Sequence, residues 1–295
     1  MSTSQVRSGG LMRVDPVGAL RELDDTGGGS DGPSALGSGP STLSRVLRFI
    51  APALGIILFL TLWQVSILVF DIKPFELPRP TTILRHINSD KTFYWKNART
   101  TLWEAFLGFT IAFGLAMIGA TAMALSRFVE RATIPLAVLI QVTPVVAYAP
   151  AVEIWFGFGL TSILVDTTLV CFVPFLINGV TGLRSVDPNL IELARSVHAS
   201  RREVFVRLRL PSALPSLFSA ARIAVGLALI GAVLGEFYSG ATGGLGWAVS
   251  FAQAHNIALQ LWGSVYVLAL LGATATLLIT GLERVVLHWH SSQRE

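Results

Sequence analysis

Six apolar stretches, each close to twenty residues long, constrain this chain more than any other feature: 47–70, 101–125, 132–151, 160–180, 217–238 and 261–282. About twenty apolar residues in a helix cross roughly 30 Å of hydrocarbon, so each run is expected to span a bilayer. Pro144 and Pro150 are expected to break the third. The expectation is an all-α integral membrane protein with six transmembrane helices. Charged residues make up 14% of the chain, against about 25% in soluble domains.

An even number of spans places both termini on one side. Twelve arginines then fall on the side of the termini and six basic residues on the other, which favours N-in, C-in by the positive-inside rule. The same rule accounts for the sequence pI near 9.6: the arginines border apolar spans, so no nucleic-acid partner is expected. The one cysteine, Cys171, lies inside an apolar run, which excludes an intrachain disulfide and a cysteine metal cluster.

Residues 1–44 are rich in Gly, Ser and Asp without hydrophobic periodicity and read as a disordered cytoplasmic tail ahead of a membrane domain over 45–295. Residues 75–80 should be extended by their prolines, with a short helix through Ile83, Leu84 and Ile87. The segments 150–159 and 240–246 hold too many helix-breaking residues for regular helix and are expected at the outer mouth of a pathway. Two spans carry small residues every four positions: Ala112, Ala116, Ala120 and Ala124, then Ala220, Ala224, Ala228 and Ala232. Such ridges let helices approach closely, within one chain or between subunits.

The longest charged segment between two apolar regions is 187–211. Asp187 is a good N-cap and Pro188 suits a first helical position, predicting a helix over 188–198. Ser200 and Glu203 form a capping box for a second helix, which Pro211 should end or kink. Two short helices and a tight turn between membrane spans make a compact knob.

Glu192-Leu193-Ala194, three residues, His198, nine residues, then Leu208, any residue and Leu210-Pro211 resembles the EAA signature of ABC importer permeases. Leu193 stands where that signature has its middle Ala and His198 where it has Gly. The chain is also similar to nitrate/taurine/sulfonate-type permeases at L-P-R-P-T-T-I-L (77–84), W-F-G-F-G (155–159), G-L-R-S-V-D-P (182–188), L-P-S-A-L-P (210–215) and A-R-I-A-V-G (221–226).

The resemblance implies a type I importer permease fold in the cytoplasmic membrane of a prokaryote, with a cytoplasmic coupling helix in the loop 184–215. In that family the knob docks in a separate ATPase, so Glu192, Leu193, Ala194, His198, Leu208, Leu210 and Pro211 are the implied coupling residues. Two ATPase subunits, a second permease copy and an extracytoplasmic solute-binding protein are the implied partners. The chain itself is expected to hydrolyse no ATP: its lysines are Lys73, Lys91 and Lys96, none after a glycine, so no P-loop is present. ATP and Mg²⁺ would bind the partner ATPase, and this chain would need no cofactor. The implied solutes are small and polar: nitrate, sulfonates or taurine, or pyrimidine-like and aromatic acids. A secondary transporter or channel without an ATPase is the alternative.

Acids inside spans are costly, about 2.5–3.5 kcal/mol for Asp at a helix centre, and invite a functional reading. Glu153, Asp166 and Glu236 are the candidates for the substrate pathway, with Arg222 as a bundle-facing partner for an acid. The resembling family commonly has an acid at the Glu236 position, which implies a structural or gating role there. Glu153 and Asp166 would favour a solute bearing hydrogen-bond donors. The histidines are scattered, and neither a metal site nor a nucleophile–base pair is expected.

Overall fold

The computed structural model describes residues 42–73 and 75–287, and among them every regular element is helical. Residues 1–41 and 288–295, with most of the expected tail and with His288 and His290, lie outside the described residues. The chain divides into a segment Met1–Ile57 and a compact body Leu58–Glu295; the contacts below belong to the body.

Helix α1 (Thr42–Val69) is followed by the short α2 (Pro80–Ser89), which starts on Pro80 and buries Ile83 as its periodicity required. Asp90 then caps the 35-residue α3 (Lys91–Leu125) by accepting from the Phe93 N–H at 3.2 Å. Ser126 caps α4 (Arg127–Val142), and α5 (Val145–Phe156) follows after a bend of 104°. That bend falls at Thr143-Pro144, as the sequence led one to expect. Pro150 does not break the chain, because losing one N–H inside a short helix leaves the remaining turns paired. Irregular backbone in the expected segment 150–159 is therefore confined to Gly157–Gly159.

Helix α6 (Leu160–Leu183) is the centre of the bundle, gripped by α3 on one side and α9 (Leu210–Tyr238) on the other. Both alanine ridges face it: Ala112, Ala116 and Ala120 from α3, and Ala220, Ala224, Ala228 and Ala232 from α9, are buried. The ridges are thus packing surfaces within the chain. On the α9 side the approach is closest at Gly231, where a Cβ would stand 2.6 Å from the Thr167 Cα, and at Gly235, 2.8 Å from the Ile163 Cα; on the α3 side a Cβ on Gly108 would stand closer still to the Thr167 side chain. Further along, Phe175 packs toward α3 with edge contacts to Phe109 and Phe113 at 5.0 and 5.3 Å.

Beyond α9, helix α10 (Leu245–Ala254) leads to α11 (Ala258–Val286), whose Leu270, Leu277 and Leu278 are exposed. An apolar exterior on long helices is what a lipid solvent requires. Four helices are long and apolar enough to cross a membrane: α3, α6, the continuous run Arg201–Tyr238 and α11. The bent pair α4–α5 makes a fifth if it is one span. This is a multi-pass membrane protein, with four or five such spans among the described residues where the sequence suggested six; the described apolar part of α1, Leu54–Val69, is shorter than the others.

At one end of the bundle Arg184, just past α6, donates to both carboxylate oxygens of Glu130 at 2.6 and 2.8 Å and to the Met123 carbonyl at 2.7 Å. One guanidinium thereby ties the ends of α6, α4 and α3 together where the charged loop begins.

Candidate functional site

The loop after Arg184 folds as the two-helix knob. Asp187 accepts from the Asn189 N–H at 2.8 Å and opens α7 (Pro188–Ser196). The helix closes with a complete Schellman turn: the Ala199 N–H reaches the Ala194 carbonyl at 2.9 Å, and the His198 N–H reaches that of Arg195 at 3.0 Å. Such a turn needs a left-handed residue, usually glycine, and His198 supplies it with φ 58°. The Gly-to-His departure thus changes the residue while the backbone keeps the shape glycine would give. His198→Gly is expected to relieve a left-handed penalty of about 1 kcal/mol, raising the melting temperature of the purified protein by a few degrees; His198→Val should lower it.

Ser200 then caps α8 (Arg201–Val204) in the expected box. Its hydroxyl accepts from the Glu203 N–H at 3.2 Å, and Glu203 accepts from the Ser200 N–H at 2.8 Å. Helix α8 does not end at Pro211. It passes through one π-helical turn, Phe205–Arg209, directly into α9. The wide turn links the Leu210 N–H to the Phe205 carbonyl, so Pro211 arrives where the ordinary ladder is already interrupted. That absorbs its missing N–H without a break.

The seven implied coupling residues occupy three places on this knob. Ala194, His198 and Leu208 line a shallow cavity of about 380 Å³ in the crook between the helices. Glu192 and Leu193 are exposed on α7, and Leu193 and Val197 keep 62% and 71% of their surface open. Leu210 and Pro211 form the first turn of α9. No residue of α7 is buried.

Far along α9, about 40 Å from Pro211 at 1.5 Å per residue, Glu236 is buried at 1% exposure. Its carboxylate accepts from the Thr101 hydroxyl at 2.6 Å, from the Gly246 N–H, and from the Trp247 N–H at 3.2 Å. Thr101 also accepts from the Leu245 N–H at 2.7 Å, and Asn97 accepts from the Gly244 N–H at 2.9 Å. Three side chains from α3 and α9 therefore hold the start of α10, where orphan N–H groups favour an anion. Gly244, at φ 102°, cannot carry a side chain, since a Cβ would collide with the Glu236 carboxyl.

Glu104, on the same face of α3, lies against Glu236 and is 7% exposed, with Oε2 buried and unpaired. The sequence reading passed over Glu104. It sits four residues inside the second apolar run, and the intramembrane-acid argument applied to Glu236 would have found it.

The other pathway candidates do not join this cluster. Glu153 on α5 and Asp166 on α6 are buried close to each other, and neither Asp166 oxygen receives a hydrogen bond. Arg222 pairs with an acid the sequence reading had not considered, Glu283 of α11, at 3.3 Å.

A family model described as the inner membrane component of binding-protein-dependent transport systems matches residues 108–288. The chain is 32% identical over 85% of its length to the formylaminopyrimidine transport permease protein of Halalkalibacterium halodurans, covering all of that protein. It is 35% identical over 83% of its length to the riboflavin transport system permease protein of Chloroflexus aurantiacus, 93% of which is covered. A solved chain from the inward-facing MetNI methionine ABC transporter superposes with a TM-score of 0.52 at 18% identity, over 63% of this chain and 94% of that one.

Proposed function

We infer the role of this chain from one premise: it belongs to the family of ABC importer permeases, the inner membrane components of binding-protein-dependent transport systems. It is the membrane-spanning subunit of an importer and not itself an enzyme; ATP hydrolysis belongs to a separate subunit. The alternative of a transporter or channel working without an ATPase falls with that assignment.

Within this role, the knob is the coupling element and seats in a groove of the ATPase, with Glu192 and Leu193 on the docking face. Ala194, His198 and Leu208 shape the crook, and Leu210 and Pro211 pass motion into α9. The assembly is two copies of this chain, two ATPase subunits that carry ATP and Mg²⁺, and an extracytoplasmic solute-binding protein. With α1 and the bent pair each counted as a span, six helices cross the cytoplasmic membrane with both termini inside. The observation that carries this reading is the knob: its signature spacing coincides with a left-handed turn where the family signature has glycine, and its apolar residues stand uncovered.

The solute is a small planar nitrogen heterocycle bearing N–H donors. Two of the relatives above 30% identity are named for a formylaminopyrimidine and for riboflavin, which supports this class. So does the charge inside the bundle, where Glu104, Glu153 and Asp166 offer carboxyl oxygens without a basic partner. Those carboxyl oxygens can receive donors.

The coupling role is tested by purifying wild type and Glu192→Arg from native-level expression and identifying the chains that come with them. A P-loop ATPase is expected with wild type and lost with the variant. A well-folded wild type that brings down no ATPase would sink the coupling assignment.

A further inference from the structure

We propose that the cavity walled by Trp103, Glu104 and Phe106 is a solute subsite of the translocation pathway, with Glu104 reading the N–H edge of a planar ring. The proposal rests on the substrate class given above and assigns it to particular side chains. The cavity measures about 840 Å³ and is lined by α3 and by Leu160, the first residue of α6. That volume lies in the range of small-molecule sites, roughly 300–1,000 Å³.

Three features of the wall match a flat heterocycle. Trp103 and Phe106, one turn apart on α3, lie nearly parallel with ring centroids 6.0 Å apart and 25° between planes, and both are largely exposed. They form a platform on which a further ring can stack. Beside them Glu104 is more than nine-tenths buried, yet its Oε2 accepts nothing from the chain. A buried acceptor without a donor is costly, so a solute N–H there recovers an interaction the fold leaves open. Arg99, exposed one turn earlier and in the same wall, can donate to a ring carbonyl or formyl oxygen. Stacking surface, acceptor and donor together select a ring with a mixed polar edge. An oxyanion such as taurine's sulfonate would meet Arg99 but would also face the Glu104 carboxyl.

The location adds a physical link. Glu104 touches Glu236, and Glu236 holds the first N–H groups of α10. A solute at Glu104 is therefore one side chain away from the junction between α9 and the 240–246 loop.

The test is ATP-driven uptake into proteoliposomes carrying the assembled importer, with radiolabelled 4-aminopyrimidine and taurine as probes. Wild type, Glu104→Gln, Trp103→Ala and Trp103→Phe are compared at equal amounts of co-purified ATPase. Wild type is expected to take up the aminopyrimidine. Glu104→Gln should raise its KM at least tenfold, Trp103→Ala should raise it about tenfold, and Trp103→Phe should restore most of the loss, which a merely structural role would not produce. If wild type takes up aminopyrimidine and the variants share its KM, the subsite fails while the substrate class stands. If wild type takes up taurine and not aminopyrimidine, the substrate class fails and the subsite fails with it.

Discussion

Glu236→Leu is expected to abolish stable folding of the half of the bundle that holds α10. The leucine would strand the N–H groups of Gly246 and Trp247 and leave the Thr101 hydroxyl only the longer bond to the Asn97 carbonyl at 3.2 Å. Each buried donor left unpaired costs about 1–3 kcal/mol, so the total is roughly 3 kcal/mol or more. That is a large share of the margin by which proteins fold, about 5–15 kcal/mol. The purified variant should run as aggregate on size exclusion, or melt well below wild type. Glu236→Gln keeps one acceptor oxygen and should retain most of the structure. A Glu236→Leu protein as stable as wild type would show that α10 is held by packing alone.

The second large effect is expected at Gly231. A Cβ there would press on the Thr167 backbone, its Cα at 2.6 Å and its N at 3.2 Å, and a backbone cannot swing aside as a side chain can. Gly231→Val therefore has to push α9 away from α6 at the closest point between those two helices. Overpacking a well-filled interface costs typically about 1–3 kcal/mol, and the displaced helix is the one that carries the knob. Gly226, on the same helix with nothing within 4 Å of its would-be Cβ, is the control: Gly226→Ala should be neutral or stabilise by up to about 1 kcal/mol. Thermal melting of both in detergent, with ATPase co-purification as a second readout, separates the positions. Equal melting of Gly231→Val and Gly226→Ala would contradict the close-approach account.

Local rules in the sequence predicted what short-range chemistry controls. The Asp187 cap, the Ser200–Glu203 box, the break at Pro144 and the burial of both alanine ridges all follow from neighbours in the chain. The run through Pro211 was not legible, because the π turn that makes room for the proline depends on where α9 must enter the bundle. Pairings between distant acids and donors were also hidden. Nothing near Glu236 in sequence announces Thr101, 135 residues away, and nothing near Arg222 announces Glu283. Glu104 is a different case: as an acid within a recognised span it was legible in the sequence, and the structure adds its burial against Glu236.

The π turn makes the knob and the buried end of α9 parts of a single lever arm. From Arg201 to Tyr238 the helix runs unbroken for 38 residues, about 57 Å at 1.5 Å per residue. A proline-induced gap at 211 would have made a loose joint, able to take up any displacement of the ATPase locally. An unbroken rod instead transmits it: a tilt of about 5° pivoted at one end moves the other by roughly 5 Å over that length. Gly231 and Gly235 lie against α6 near the far end, so a rod pivoting on that contact swings furthest at Arg201. In the proposed docking, a tilt imposed at the knob turns the Glu236 end through the same angle.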